Sequence, residues 1–290
     1  MIIVKLGGSF VTYKGADSTM PMRWDESNID YRIREDLIIK VARILKSQIK
    51  NGLILVHGGG THGHRTVVRW RSGIARGNKI MMPWEIKWRM VQLSERVIRL
   101  LGKGGIPAVS ISPGDLILSD RGLIRSFDAT AISRYLERGV VPVLRGDLVP
   151  DTSEEWAVVS GDEMIFEIGR LSKEGVLPEL DRVILCMKEE GYYEGFGTDN
   201  KRIISELSPD RFHRDVSGRG STGDGSVDVS GGISGKIAIS HRIASYGIPV
   251  NLIGGENVHI ELGNIIGGKN AGTLVLPFEG SIDCRSGACH

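Results

Sequence analysis

The chain has 290 residues, 41% hydrophobic and 25% charged, with a formal net charge of +2. That balance suits one large α/β domain or two smaller ones, and the Lys and Arg residues are spread without the polybasic block that would grip nucleic acid. Three cysteines are too few for a disulfide framework, and no apolar stretch reaches the ~18 residues of a membrane span.

The first residues are expected to form a strand rather than a leader peptide. The expected compartment is therefore the cytosol, and neither nucleic acid nor a membrane is an expected partner. Ile2–Leu6 reads as a buried strand. Lys5 sits inside it, and a lysine there needs an anion to pair with. Gly7, Gly8 and Ser9 end the strand, and glycines at that point let backbone approach a ligand. Lys14 follows within reach of the same loop. Cation, glycine turn and cation together point to a grip on phosphate.

Asp30–Lys50 keeps Ile33, Leu37, Val41, Ile44 and Leu45 on one helical stripe. Leu53–Val56 reads as strand and runs into HGGGTHGH, residues 57–64. Backbone N–H groups of Gly58, Gly59 and Gly60 suit a phosphate cradle, and His64 adds a hydrogen bond that strengthens with charge. A His-x-His metal site lacks an adjoining acidic or thiol partner, and no side chain is assigned as a metal ligand. Trp84–Lys103 has helical spacing, and Pro107–Ser110 reads as strand.

Leu116–Leu118 and Leu123–Arg125 flank Asp120-Arg121-Gly122, the signature of a hairpin. Asp128 caps a helix through Arg138, Val140–Leu144 is strand, and a second hairpin spans Asp147–Val159. Ser160-Gly161-Asp162 opens a helix through Leu171. On the residues alone, that triplet suits a helix cap as well as a carboxylate that orients lysines. Arg182–Met187 is a buried strand in which Cys186 reads as a reduced core residue. Gly191–Val229 is rich in Gly, Asp and Ser and reads as loose.

DVSGGISGK, residues 228–236, is a glycine-rich loop running into a helix at Ser234–Tyr246. Its spacing is not that of a Walker A loop, but Lys236 stands near a helix N-terminus, well placed for a nucleotide phosphate. Strand Pro249–Ile253, helix Glu256–Leu262 and strand Thr273–Leu276 follow. Cys284 and Cys289 lie in a short polar tail. Repeated βα units imply a mainly parallel sheet covered on both faces, with ligands beyond the carboxyl ends of the strands.

Two matches to G-x-G-x-x-G, Gly58–Gly63 and Gly218–Gly223, lack the strand and acidic context of a dinucleotide fold. HGGG also suits an esterase oxyanion segment, but no G-x-S-x-G accompanies it.

Taken in order, KLGGSFVTYK, LVHGGGTHGH, DATAISRYLERGVVPVLRGDLV, VVSGD, DVSGGISGK and AGTLV resemble the amino acid kinase family. The histidine in GGGTHGH resembles the branch that phosphorylates a phosphate group. The resemblance implies an α/β fold, a three-layer αβα sandwich around a mostly parallel central sheet, commonly assembled as a homodimer. It implies one domain over residues 1–290, with an acceptor-binding lobe over 1–180, a nucleotide-binding lobe over 181–280 and a tail over 281–290. It implies ATP- and Mg²⁺-dependent phosphorylation of a small phosphomonoester, with isopentenyl phosphate as the leading acceptor.

Lys5 would then stabilise the transferring phosphoryl group, and Lys14 would assist at the nucleotide phosphates. Gly7, Gly8 and Ser9 would approach the β- and γ-phosphates. Gly58, Gly59, Gly60, Gly161 and His64 would hold the acceptor. Asp162 would orient the lysines. Gly191, Gly231, Gly232 and Lys236 would contact ATP. Val67, Trp70, Ile74, Ile80, Met81, Met82, Ile86 and Met90 are the candidates for an apolar slot, Ile86 and Met90 foremost. One departure stands out: where the family carries a TDVDG-like segment at the nucleoside site, this chain has Met187-Lys188-Glu189-Glu190-Gly191. The alternatives are a kinase for another small phosphate or phosphonate, of the fosfomycin-kinase type, or a non-catalytic nucleotide-binding protein on the same fold.

Overall fold

The computed structural model describes residues 1–13, 33–60, 62–63, 67, 81–194, 200–215 and 232–279. In chain order these form β1 (Ile2–Leu6), α1 (Gly8–Val11), α2 (Glu35–Leu45), β2 (Leu53–His57), α3 (Met81–Lys103), β3 (Ala108–Ser110), β4 (Ile117–Asp120) and β5 (Leu123–Phe127). Then come α4 (Thr130–Glu137), β6 (Val141–Arg145), β7 (Asp147–Pro150), β8 (Trp156–Val159), α5 (Gly161–Lys173) and β9 (Arg182–Met187). The last part holds β10 (Tyr193–Glu194), β11 (Arg202–Ile203), β12 (Glu206–Leu207), α6 (Pro209–Asp215), α7 (Gly232–Ala244), β13 (Val250–Gly254), α8 (Val258–Ile266) and β14 (Thr273–Val275).

Among the described residues, eight strands make the central sheet, in the order β12-β14-β13-β9-β1-β2-β6-β3. The run from β13 to β3 is parallel. β14 reverses against β13, and β12 follows β14. The inner strands are continuously apolar because both faces are covered. Ile3, Ile54, Val56, Val183 and Leu185 pack towards residues of α4, α5 and α7. Val4, Leu6, Leu55, Ile184 and Cys186 pack towards α2, α3 and α8. The expected three layers follow from this alternation.

The connection from β1 to β2 runs through α2 on one face, whereas the connection from β9 to β13 runs through α7 on the other. The chain therefore changes direction between β1 and β9, which opens a crevice at their carboxyl ends. Both hairpins form as expected, at β4–β5 and β7–β8. The first turns at Arg121 and Gly122, with φ of 51° and 79°, the backbone of a type I′ turn.

Some boundaries differ from the sequence reading. The helix expected from Asp30 starts at Glu35, because Ile33 instead bridges Thr12 as extended chain. Its last stretch tightens into a 3₁₀ helix, Lys46–Asn51. Asp128 does act at the start of α4, accepting from the Thr130 N–H at 2.9 Å. The stretch expected to be loose contains β10, β11, β12 and α6 among its described residues. Leu207, fully buried, explains why β12 is drawn onto the sheet edge beside β14. Among the described residues no helix is long and apolar enough to cross a membrane.

Candidate phosphoryl-transfer site

Lys5 is buried, and its Nζ lies 2.6 Å from Asp162 Oδ2. Asp162 reaches it from the first turn of α5, whose start is fixed by Ser160: the Ser160 Oγ accepts from the Glu163 N–H at 3.2 Å. Ser160 thus supplies the helix cap, while Asp162 pairs, among the described residues, with a single lysine, Lys5. Burial pulls the Lys5 pKa down, the Asp162 carboxylate opposes that, and Lys236 adds a like charge that lowers it further. Lys236, half-buried in the first turns of α7, is therefore within electrostatic range of Lys5. Asp162 Oδ1 is buried without a hydrogen-bond partner.

Gly161 makes this approach possible. A Cβ there would fall 2.9 Å from Val56 Cγ1 and 3.4 Å from Lys5 Cε. The glycines after β1 and β2 are constrained more tightly still. A Cβ on Gly8 would lie 2.5 Å from the Gly60 nitrogen, and one on Gly58 would lie 2.4 Å from the Gly8 nitrogen. One on Gly7 would meet the Cys186 carbonyl oxygen at 2.7 Å. The two loops are packed backbone against backbone, so these glycines serve each other before they serve any ligand. Among the described residues the N–H groups of Gly8, Ser9, Gly59 and Gly60 have no hydrogen-bond acceptor. They remain available to an anion.

His57 buttresses the second loop. Its Nδ1 lies 3.1 Å from the Gly58 carbonyl oxygen and its Nε2 lies 2.8 Å from Ser94 Oγ. A carbonyl can only accept, so Nδ1 carries the proton and Nε2 accepts from the serine. Burial pushes the His57 pKa down to about 4, which keeps the ring neutral. Behind it, Arg145 pairs with the buried Asp147 at 2.9 Å. Sequence reasoning passed over Arg145 and Asp147. Their placement at the end of a strand and the start of a hairpin was the available signal.

Met90 is 1% exposed, in the core beneath the second glycine loop, where its sulfur would touch a Cβ on Gly59 or Gly63. Ile86 instead joins Val67 and Leu148 in a separate small apolar cluster, with Met82 and Trp156 packed against it. Leu148 and Trp156 come from the β7–β8 hairpin and were not among the slot residues expected from sequence. Met81 faces solvent at 44% exposure. Gly191 packs against β14: a Cβ there would lie 2.8 Å from Thr273 Oγ1. Gly232 is the first residue of α7. Lys14, His64, Gly231, Trp70, Ile74, Ile80, Cys284 and Cys289 lie outside the described residues.

The segment Met187–Gly191 closes the other side of the crevice. The Lys188 carbonyl oxygen accepts from the Gly255 N–H at 3.1 Å, and Lys188 itself is exposed. Tyr193 donates its hydroxyl proton to Glu190 Oε2 at 2.8 Å. Burial, then the Glu190 carboxylate, push the Tyr193 pKa up to about 12. Glu261 accepts from the Gly254 N–H at 3.2 Å, and its pKa is raised by burial and by Glu190.

A sequence model described as the amino acid kinase family matches residues 1–254. The chain belongs to that family. Within it, the chain is similar to the isopentenyl phosphate kinase of Methanothermobacter thermautotrophicus, 32% identical over 267 residues, covering 87% of this chain and 90% of the relative. The isopentenyl phosphate kinase of Methanocaldococcus jannaschii is 29% identical over 273 residues, covering 89% and 94%. A solved structure of isopentenyl phosphate kinase matches with a TM-score of 0.71 and 25% identity over 94% of this chain and 99% of that one. In this member of the amino acid kinase family, the paired Lys5 and the two interlocked glycine loops occupy the carboxyl edge of the family's sheet.

Proposed function

We propose that this amino acid kinase transfers the γ-phosphoryl group of ATP to isopentenyl phosphate, giving isopentenyl diphosphate and ADP. The observation that carries the reading is the buried Lys5–Asp162 pair at the chain-reversal crevice, flanked by loop amides without acceptors. The named relatives support the choice of acceptor.

The acceptor oxygen is already anionic, so the reaction needs no strong base. The acceptor oxygen forms a bond to the γ-phosphorus as the bond to the β-phosphate oxygen breaks, and ADP leaves with that electron pair. The barrier is the approach of two anions in line, which fixed cations and backbone dipoles lower. In this reading Lys5 faces the transferring group and Asp162 holds its ammonium in place. Lys236 and Lys14 neutralise the donor phosphates, with Gly7, Gly8, Ser9, Gly191, Gly231 and Gly232 along the donor. The Gly58–Gly60 amides, Gly161 and His64 receive the acceptor phosphate, and Ile86 with its cluster meets the hydrocarbon tail.

Asp162 Oδ1, buried and unpaired, is a fitting oxygen ligand for magnesium. Among the described residues there is no cluster of three or more ligating side chains, so phosphate oxygens would complete the shell. Bound magnesium would neutralise phosphate charge. On the same reading residues 1–180 form the acceptor lobe and 181–280 the donor lobe of a cytosolic homodimer. The test is coupled ADP release over a panel of phosphate and phosphonate acceptors. Turnover highest with isopentenyl phosphate is expected. A phosphonate preferred over it, or no acceptor-dependent ADP, overturns the assignment.

A further inference from the structure

The first turn of α5 joins three elements. Asp162 reaches Lys5 on β1. The next residue, Glu163, serves a different partner: its Oε1 accepts from Arg242 Nη1 of α7 at 2.8 Å. The Arg242 guanidinium also lies over the Phe166 ring, 3.9 Å from its centroid. That ring stacks on Tyr246 just beyond α7, with centroids 5.2 Å apart. Glu163 is held in turn by the bond from its own N–H to Ser160 Oγ.

α7 also meets its surroundings through Ile237, Ile239, Ile243 and Ala244, all buried, while at its C-terminal end His241 stacks on Phe212 with centroids 3.9 Å apart and the Ala244 carbonyl oxygen accepts from the Phe278 N–H at 2.9 Å. Apolar burial is non-directional, and it tolerates a helix that slides or rotates by a fraction of a turn. A guanidinium stacked on a ring and bonded to a fixed carboxylate does not. Lys236 sits on the same rigid helix, fewer than two turns from Arg242. Whatever fixes Arg242 against α5 therefore fixes the root of Lys236 relative to Lys5 and Asp162.

We propose that the Glu163–Arg242 pair, seated on Phe166, is a positioning latch that sets where α7 holds Lys236 and thereby sets affinity for the donor triphosphate. The inference rests on the reading of Lys236 as a donor contact. Neither latch residue needs to touch substrate. As a partly exposed pair it contributes little to overall stability, so its effect belongs to donor binding rather than to folding.

The test measures equilibrium binding of Mg·ATP to the full chain, and steady-state KM for each substrate, in charge-reversed variants. Arg242→Glu and Glu163→Arg each weaken ATP binding about fivefold to tenfold, while the acceptor KM stays within about twofold. Combining the two reversals restores most of the ATP affinity, which a loss of fold would not allow. Lys236→Ala serves as the reference. Weakened binding in Lys236→Ala beside normal binding in Arg242→Glu overturns the latch alone, as does a double variant no better than either single one. Unchanged ATP affinity in Lys236→Ala overturns the donor reading and the latch with it.

Discussion

Two regions at the crevice differ in their local charge: the ends of β1 and β2 carry a buried lysine and glycine amides, whereas the segment after β9 gathers carboxylates. On the β1–β2 side, Lys5 pairs with Asp162, and four loop amides have no acceptor among the described residues. On the β9–β13 side, Glu189, Glu190 and Glu261 all act on Tyr193, and their combined charge helps to raise its pKa. The first side suits phosphate; the second suits neutral hydroxyl and amino groups. A nucleotide laid with phosphates towards Lys5 and sugar towards Glu190 would satisfy both. Glu189, Glu190 and Glu261 keep this segment acidic in spite of the exposed Lys188.

The comparison breaks most severely at Lys5. Lys5→Ala should lower kcat about 10²- to 10³-fold, read by ADP release from protein whose circular dichroism is unchanged. Near-normal turnover would remove Lys5 from the chemistry. The next effect concerns His57 and runs with pH. Its folded pKa of about 4 lies below the model-peptide value of 6.5, so below pH 6.5 the unfolded chain takes up a proton that the folded one refuses. Stability should be complete above pH 6.5 and fall towards pH 4 by roughly 3 kcal/mol from this group. Urea titrations across that range check it. His57→Gln should flatten part of the slope, with His62, at about 3, supplying more of it.

Smaller effects follow from the glycines. Gly8→Ala and Gly58→Ala each force a Cβ into backbone and should cost about 1–3 kcal/mol, seen as a lower Tm. Gly102→Ala, on α3 with no heavy atom within 4 Å of its Cβ, should instead raise stability by about 0.5–1 kcal/mol. If both kinds of substitution behaved alike, the interlocking of the two loops would be wrong. The smallest effect sharpens the acidic side. Glu190→Gln should raise the KM for ATP about twofold, because a neutral amide accepts less strongly from a sugar hydroxyl than a carboxylate does; an unchanged or lower KM would take the sugar away from Glu190.

Much of this was legible in the sequence. A lysine inside an apolar strand demanded an anion, and Asp162 is that anion. The alternation of apolar runs and stripes gave the order of strands and helices, and Asp120-Arg121-Gly122 gave its turn. The reasons behind the glycines were not legible. Their spacing suggested phosphate contact, but only the fold brings Gly8 against Gly58 and Gly60. The wall of the small apolar cluster was missed for a related reason. Leu148 and Trp156 arrive from a hairpin remote in sequence from Ile86, and no local period links them. Met90 fitted a slot by spacing, yet depth in the core decides its neighbours. Likewise the short strand β12 needed an edge supplied by β14, which the local sequence could not announce.

The strand order has a consequence for synthesis. β1, which comes before the other described strands in chain order, ends up between β2 and β9. Its β2 edge can be covered early, but the other edge stays open until Arg182–Met187 has been translated. Until then an apolar ribbon carrying Lys5 waits without the neighbour that completes it, a state prone to wrong pairing between nascent chains. Chaperone demand should therefore persist until β9 is available to β1 and subside once it has docked.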